Sequence, residues 1–327
     1  MFLIGHQTQW NFLIKLIQNQ RIPQAIIFSG QEKLGKKKIA LEFIKLLNCQ
    51  KVHFQNKEKE ITPCQFCISC KTLQKNRSPN LFFLEPIGKE IQIDQIRNLQ
   101  TILSLKPQLG NFKTTIIDRA ETLNSEAQNC LLKNLEEPKG QVLLILITSQ
   151  LERLLPTIRS RCQILKFFPV PFLEISEKLK GKVKETRLKK IFFLSSGRPG
   201  QVIDFLEKPE EFSQAVKIFQ EGERILKFEL FEKFIFISRF FRKEISLKEI
   251  INFLNNLENY LRLVLLKKIG VKNEILDSFN LKETKNYSYQ KLKENLENIQ
   301  ILKNLIFYTN INLKLALENL FLNLEPN

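Results

Sequence analysis

The sequence predicts an α/β fold built on a doubly wound, mostly parallel sheet, followed by an all-helical C-terminal region. Three observations carry this. Short apolar runs, of which Val142–Thr148 (VLLILIT) is the strongest, recur through the first half of the chain and alternate with segments of helical periodicity. Such alternation of strand and helix is the signature of a parallel sheet covered on its faces by helices. After Pro169-Val170-Pro171 the strand signal stops and helical spacing takes over.

The elements follow in order. Residues 24–29 (QAIIFS) read as a buried strand running into Gly30. Lys36–Leu47 comes next, with Ile39, Ala40, Phe43, Ile44 and Leu47 at helical spacing. Residues 49–77 are polar and cysteine-rich, an insertion with little core of its own. Leu81–Leu84 returns to strand. Ile91–Ile93 is expected to be extended, with Asp94 as the N-cap of a helix through about Leu105. Thr114–Ile117 is a third buried strand, ending at Asp118. Ser125–Glu136 is expected to be helical and to stop before Pro138. Pro156–Arg161 opens a short helix or turn, and Ile164–Phe168 is the last strand. Residues 172–206 read as two or three short helices closed by Gly197-Arg198-Pro199-Gly200, and from about 208 helical periodicity continues to the end. Most of the 27 Phe residues lie in the C-terminal half and are expected to fill a helical core, not to stack on bases.

The chain is 43% hydrophobic and 26% charged, ordinary values for a globular protein. No apolar run approaches the ~20 residues needed to cross a bilayer, and the start lacks the pattern of a signal peptide. The expectation is a cytoplasmic protein with no membrane partner. The net charge is +17, and residues 1–167 carry 24 Lys and Arg against 13 Asp and Glu. A basic front half suits a nucleic-acid or nucleotide partner. The same excess follows equally from a composition rich in Lys, Asn, Ile and Phe.

Residues 30–37 (GQEKLGKK) have the spacing of a phosphate-binding loop. Glycines in such a loop let backbone N–H groups cradle phosphates, a Lys reaches the outer phosphates, and a Ser or Thr hydroxyl binds Mg²⁺. Gly30, Gly35 and Lys36 are in place as the nucleotide-binding candidates. Position 37 is Lys, which has donors only and cannot ligate a cation. The strand ending in Asp118 could hold Mg²⁺ through water. The following position, which would supply a carboxylate to activate water, is Arg119. Two losses at the metal and water positions favour a relic loop, with weak or no nucleotide binding, over an active ATPase.

Cys64, Cys67 and Cys70 stand at two-residue spacing, and Cys49 lies 15 residues upstream of the first. Four thiolates suit tetrahedral Zn²⁺ in a closed, structural site. An iron–sulfur cluster is the lesser option, and His53 is an alternative to Cys49. Cys130 is expected to be plain core.

Taken together, these segments resemble the delta-prime subunits of the bacterial clamp loader, in the AAA+ superfamily. The resemblance runs over most of the chain. It is carried by Arg21 to Gly30 (RIPQAIIFSG), by the position of the cysteine insertion, by Ile93-Asp94-Gln95-Ile96-Arg97, by residues 131–138 (LLKNLEEP), and most specifically by residues 155–162 (LPTIRSRC). It implies that Arg161 is an arginine finger donated in trans to the ATP of a neighbouring motor subunit, with Arg159 as its competitor. It also implies that Ser160 and Cys162 shape the turn and that Thr148 stands at the sensor-1 position. The sensor-2 arginine position is occupied by Gly200, and Arg198, though close, is expected to face elsewhere.

The resemblance further implies three domains: residues 1–168 as the AAA+ α/β domain with a zinc insertion at about 49–77, residues 169–207 as a helical lid, and residues 208–327 as a helical collar for oligomerisation. Leu313, Leu317, Leu320 and Leu324 would be a packing stripe at its end. The implied partners are motor subunits, a clamp-opening delta subunit, the sliding clamp and primed DNA. ATP would be held by a neighbour and zinc by this chain. Two rivals stand beside this reading: a motor ATPase of the gamma/tau kind with an atypical loop, and a zinc-bearing DNA-binding module.

Overall fold

The structure is a computed structural model. It describes residues 3–51, 62–75, 78–104, 107–108, 112–136, 140–225, 228–241, 247–271, 287–309 and 311–324. The chain divides into two compact units, one of Met1–Lys178 with Arg198–Gln201, the other of Leu179–Gly197 with Val202–Asn327.

Five parallel strands form the first unit's sheet: β1 (Ala25–Ser29), β2 (Leu81–Leu84), β3 (Lys113–Asp118), β4 (Val142–Thr148) and β5 (Gln163–Lys166), in the order β2-β3-β4-β1-β5. β1 lies inside the sheet between β4 and β5 and is apolar on both faces, as a strand covered on two sides must be. Ile26 and Phe28 face one helical layer, made by α1 (Gln7–Gln18) and α2 (Lys36–Leu47). Ala25 and Ile27 face the other, which includes α4 (Ile93–Leu103) and α5 (Ser125–Glu136). The period of two along the strand thus feeds two separate cores. Phe28 and Phe43 are both fully buried in the first of them, and truncating either to Ala would cost about 3–5 kcal/mol.

Two local expectations are corrected, and one helix lies where the sequence reading placed no element. The helix α1 carries no start signal beyond an amphipathic pattern, yet Trp10, Leu13 and Ile17 are buried at helical spacing against β1 and α2. The cap of α4 is Gln92, not Asp94: Gln92 and Gln95 form a reciprocal capping box, with the Gln92 N–H donating to Gln95 Oε1 at 3.1 Å. Asp94 lies inside the first turn, where its charge favours the helix N-terminus. Ile91 pairs with Leu123, whereas Ile93 already belongs to the helix.

Two short helices remain in the first unit: α3 (Ile68–Gln74) within the cysteine insertion, and α6 (Pro156–Arg161), which starts with Pro at its first position. Helix α7 (Phe172–Leu179) closes the unit's main segment. Every regular element among the second unit's described residues is a helix, with long ones at Pro209–Ile225, Leu247–Lys268 and Tyr289–Tyr308. Several of its phenylalanines pack in the core, as expected: Phe253 stacks on Phe321 at 6.2 Å between ring centroids, and Phe219 meets Tyr260 at 5.3 Å. Leu317, Leu320 and Leu324 are buried. No described helix is long and apolar enough to cross a membrane.

Candidate functional site

The carboxyl ends of β1, β2, β3 and β4 converge on the loop of residues 30–35, as parallel-sheet topology dictates. Gly30 has φ 150°, and a Cβ there would lie 2.4 Å from the Phe167 carbonyl oxygen, so only glycine fits. Gly35 caps α2. The loop is held from several sides. The Gly30 N–H donates to Thr148 O at 3.1 Å, His6 Nε2 pairs with Leu34 O at 2.8 Å, and the Gly200 N–H donates to Lys33 O at 2.7 Å. A Cβ on Gly200 would lie 2.6 Å from that same Lys33 oxygen. No side chain, arginine included, fits that position without displacing the loop.

Lys36 is turned back on its own loop. Its ammonium donates to Gly30 O and, at 2.6 Å, to Gln31 O. Only 5% of the residue is exposed. Burial pushes its pKa down to about 8, against the opposing charges of Glu121, Glu32 and Asp118.

Lys37 goes further than the sequence indicated. Its ammonium donates to Glu85 Oε1 and to Asp118 Oδ2, the latter at 3.0 Å. Glu85 directly follows β2 and Asp118 ends β3, and the register Leu84↔Ile117 sets the two carboxylates side by side. Burial draws the Lys37 pKa down, but the hydrogen bonds and charges of Glu85 and Asp118 outweigh it and raise it overall. A single ammonium therefore serves both carboxylates of the acidic pair. Glu85 escaped the sequence reading. The signal was present, since a carboxylate follows the LFFL strand just as Asp118 closes the next one.

At the activating position, Arg119 adopts a left-handed conformation (φ 55°) and is exposed. Two residues on, the half-buried Glu121 accepts from the Ser149 hydroxyl through Oε1 at 2.6 Å. Thr148 is buried at the end of β4, and its hydroxyl accepts from the Gln150 N–H at 3.0 Å. The Arg198 pKa is lowered by burial and raised in part by the charge of Glu32.

The four cysteines come together. Cys49 follows α2, Cys67 caps α3, and the sulfurs of Cys49, Cys64, Cys67 and Cys70 all lie within 4.8 Å of one another. Cys64 and Cys70 sulfurs are 3.9 Å apart. Tetrahedral coordination at about 2.3 Å requires sulfur–sulfur edges of about 3.8 Å, so the set fits a metal ion such as zinc. Backbone N–H groups of Cys64, Cys67 and Cys70 point at the sulfurs of Cys49, Cys64 and Cys67 at 3.4, 3.3 and 3.3 Å, the polarity a thiolate needs. Burial opposes ionisation of Cys64, but backbone donors at Cys67 and Phe66 bring its pKa down to about 6. Burial pushes Cys49 and Cys70 up. His53, the alternative ligand, lies outside the described residues. Cys130 packs at the edge of the second core, receiving the Gln100 amide.

Arg161 is exposed at the end of α6. Its Nη2 pairs with Glu136 Oε1 at 2.8 Å, and its Nη1 donates to Thr157 O at 3.1 Å. Its competitor Arg159 is half-buried, with its Nε shielded from solvent. Ser160 donates to Thr157 O at 3.1 Å, and burial pushes the Cys162 thiol up to about 12.

A family described as "DNA polymerase III, delta subunit" matches residues 5–171, half of the chain. DNA polymerase III subunit delta' of Bacillus subtilis is 30% identical over 203 residues, 62% of this chain and 59% of that protein. The subunit of the same name from Pseudomonas aeruginosa is 38% identical over 140 residues, 42% of this chain and 41% of that protein. DNA polymerase III subunit tau/gamma of Haemophilus influenzae is 32% identical over 160 residues, 49% of this chain and 22% of that protein. The chain thus spans about half the length of the delta' relatives it matches. The family match and the delta' relatives agree with the motifs read from the sequence: this chain belongs to the delta-prime family of DNA polymerase III clamp-loader subunits, within the AAA+ superfamily.

Proposed function

We propose that the chain acts as a non-hydrolysing, delta-prime-like subunit of the clamp loader. It assembles with ATP-hydrolysing motor subunits and a clamp-opening delta subunit, and it lends Arg161 to the ATP of a neighbour while the complex loads the sliding clamp at primed DNA. The observation that carries this reading is the Lys37 ammonium seated between Glu85 and Asp118. A cation needed for phosphoryl transfer would have to displace a charged side chain that already satisfies both carboxylates. Arg119 and Gly200 remove two more groups on which an active site would draw.

The exposed guanidinium of Arg161 suits a role in trans. It can approach the γ-phosphate of a nucleotide held by a neighbour and stabilise the charge that develops there as the phosphoryl group transfers. The four thiolates would hold a structural zinc that closes the insertion on the end of α2. Zinc there supplies cross-linking of the chain and no chemistry. In this reading residues 169–207 form the lid and residues 208–327 the collar.

The test is the DNA-stimulated ATPase rate of the reconstituted loader containing the wild-type chain or Arg161→Ala. A fall of about tenfold or more with assembly intact is expected. An unchanged rate in an assembled complex refutes the finger. Turnover of Mg-ATP by the isolated chain would instead identify a motor subunit.

A further inference from the structure

The Arg161 side chain is held at two points, both on its own chain. Glu136, the last residue of α5, takes Nη2 at 2.8 Å, and the carbonyl of Thr157, one turn back on α6, takes Nη1 at 3.1 Å. A guanidinium carries five N–H donors, so three remain unused by these contacts. The side chains of Arg161 and Glu136 are 40% and 49% exposed, which leaves an edge of the guanidinium facing water. A finger need not leave Glu136 to reach a phosphate: it can stay anchored along one edge and donate from the other.

We infer that Glu136 is a positioning residue for Arg161, fixing the guanidinium in the orientation from which it serves the neighbouring nucleotide. The inference rests on the finger reading above. Arginine is a long side chain that loses much rotamer freedom when fixed. A partner that fixes it before assembly removes that loss from the catalytic step. The opposite role, a latch that withholds Arg161 until assembly, is the weaker reading. An exposed ion pair shifts an equilibrium by about fivefold at most, too little to silence a finger, and the free donors make release unnecessary.

The experiment uses the reconstituted loader with Glu136→Ala, Glu136→Gln, Arg161→Ala and the double variant Glu136→Ala/Arg161→Ala. Glu136→Ala is expected to lower the DNA-stimulated kcat about two- to fivefold with KM for ATP and assembly unchanged. Glu136→Gln keeps an acceptor oxygen in place and is expected to recover part of that loss. The double variant is expected to be no slower than Arg161→Ala alone. If Arg161→Ala slows the loader but Glu136→Ala and Glu136→Gln do not, the positioning role is refuted while the finger stands. A faster rate with Glu136→Ala overturns it in favour of the latch. No effect of Arg161→Ala removes the finger itself, and the role of Glu136 with it. Loss from Glu136→Ala that persists undiminished in the Arg161→Ala background marks a merely structural effect and also overturns the inference.

Discussion

Replacing Lys37 by Ser tests the bridge directly. In the native chain one ammonium serves two carboxylates, with side-chain exposures of 41% for Lys37, 57% for Glu85 and 24% for Asp118. The Glu85 contact is largely solvated and is worth about 0.5 kcal/mol, and the more enclosed Asp118 contact about 1 kcal/mol. Their loss, with the repulsion left between two adjacent carboxylates, should destabilise the chain by about 1–2 kcal/mol. In a unit of this size that lowers Tm by roughly 2–8 °C. The serine also restores a hydroxyl beside two carboxylates, the donor set that magnesium accepts. If the rebuilt site binds Mg²⁺ with a Kd of about 1 mM, 10 mM Mg²⁺ should return about 1.4 kcal/mol to the variant. The wild type, its site filled by the ammonium, should gain nothing comparable. The assay is thermal unfolding of both proteins with and without MgCl₂, at low and at 0.5 M NaCl, where screening should shrink the difference. A serine variant as stable as wild type, with magnesium moving both equally, would refute the claim that Lys37 stands in for a cation.

Lys36 yields a pH dependence of defined sign. Its pKa lies near 8 in the folded chain against the ordinary 10.5, so between these values the unfolded chain binds a proton that the folded chain does not. Stability should therefore rise as pH climbs from about 8 to 10.5, by at most about 3 kcal/mol, and Lys36→Met should flatten the slope in denaturant titrations. Purified chain should carry one zinc, and Cys64→Ser or a strong chelator should remove it. Metal analysis and a fall in Tm would report that loss, and a chain with no zinc and no response to chelator would refute the metal site.

The five strands were legible because each holds a short stretch of apolar or β-branched residues, and α2 and α5 because their apolar residues recur at helical spacing between clear stops. Helix α1 was not, since its burial depends on Trp10, Leu13 and Ile17 finding β1 and α2, a tertiary fact. The cap of α4 was misplaced because Asp is the stronger cap by preference, whereas the reciprocal pair Gln92 and Gln95 holds the position. In the candidate site, local spacing brought out the cysteine cluster, the loop glycines and the lost metal ligand at position 37. Pairing across strands and helices did not appear in it. Glu85 reaches Lys37 only because β2 lies beside β3, and Glu136 reaches Arg161 only because α5 packs on α6.

The helix α2 joins the two chemical ends of the first unit. Its first residues carry Lys36 and Lys37, and Cys49 follows its last turn. A tethered charge obeys different rules from a dissolved one: it cannot diffuse away, and its occupancy does not follow mass action. Glu85 and Asp118 are neutralised by a covalently attached group whose local concentration does not depend on that of any dissolved ion. In the role proposed above, the acidic pair of this subunit is neutralised by a part of its own chain and not by a dissolved ion.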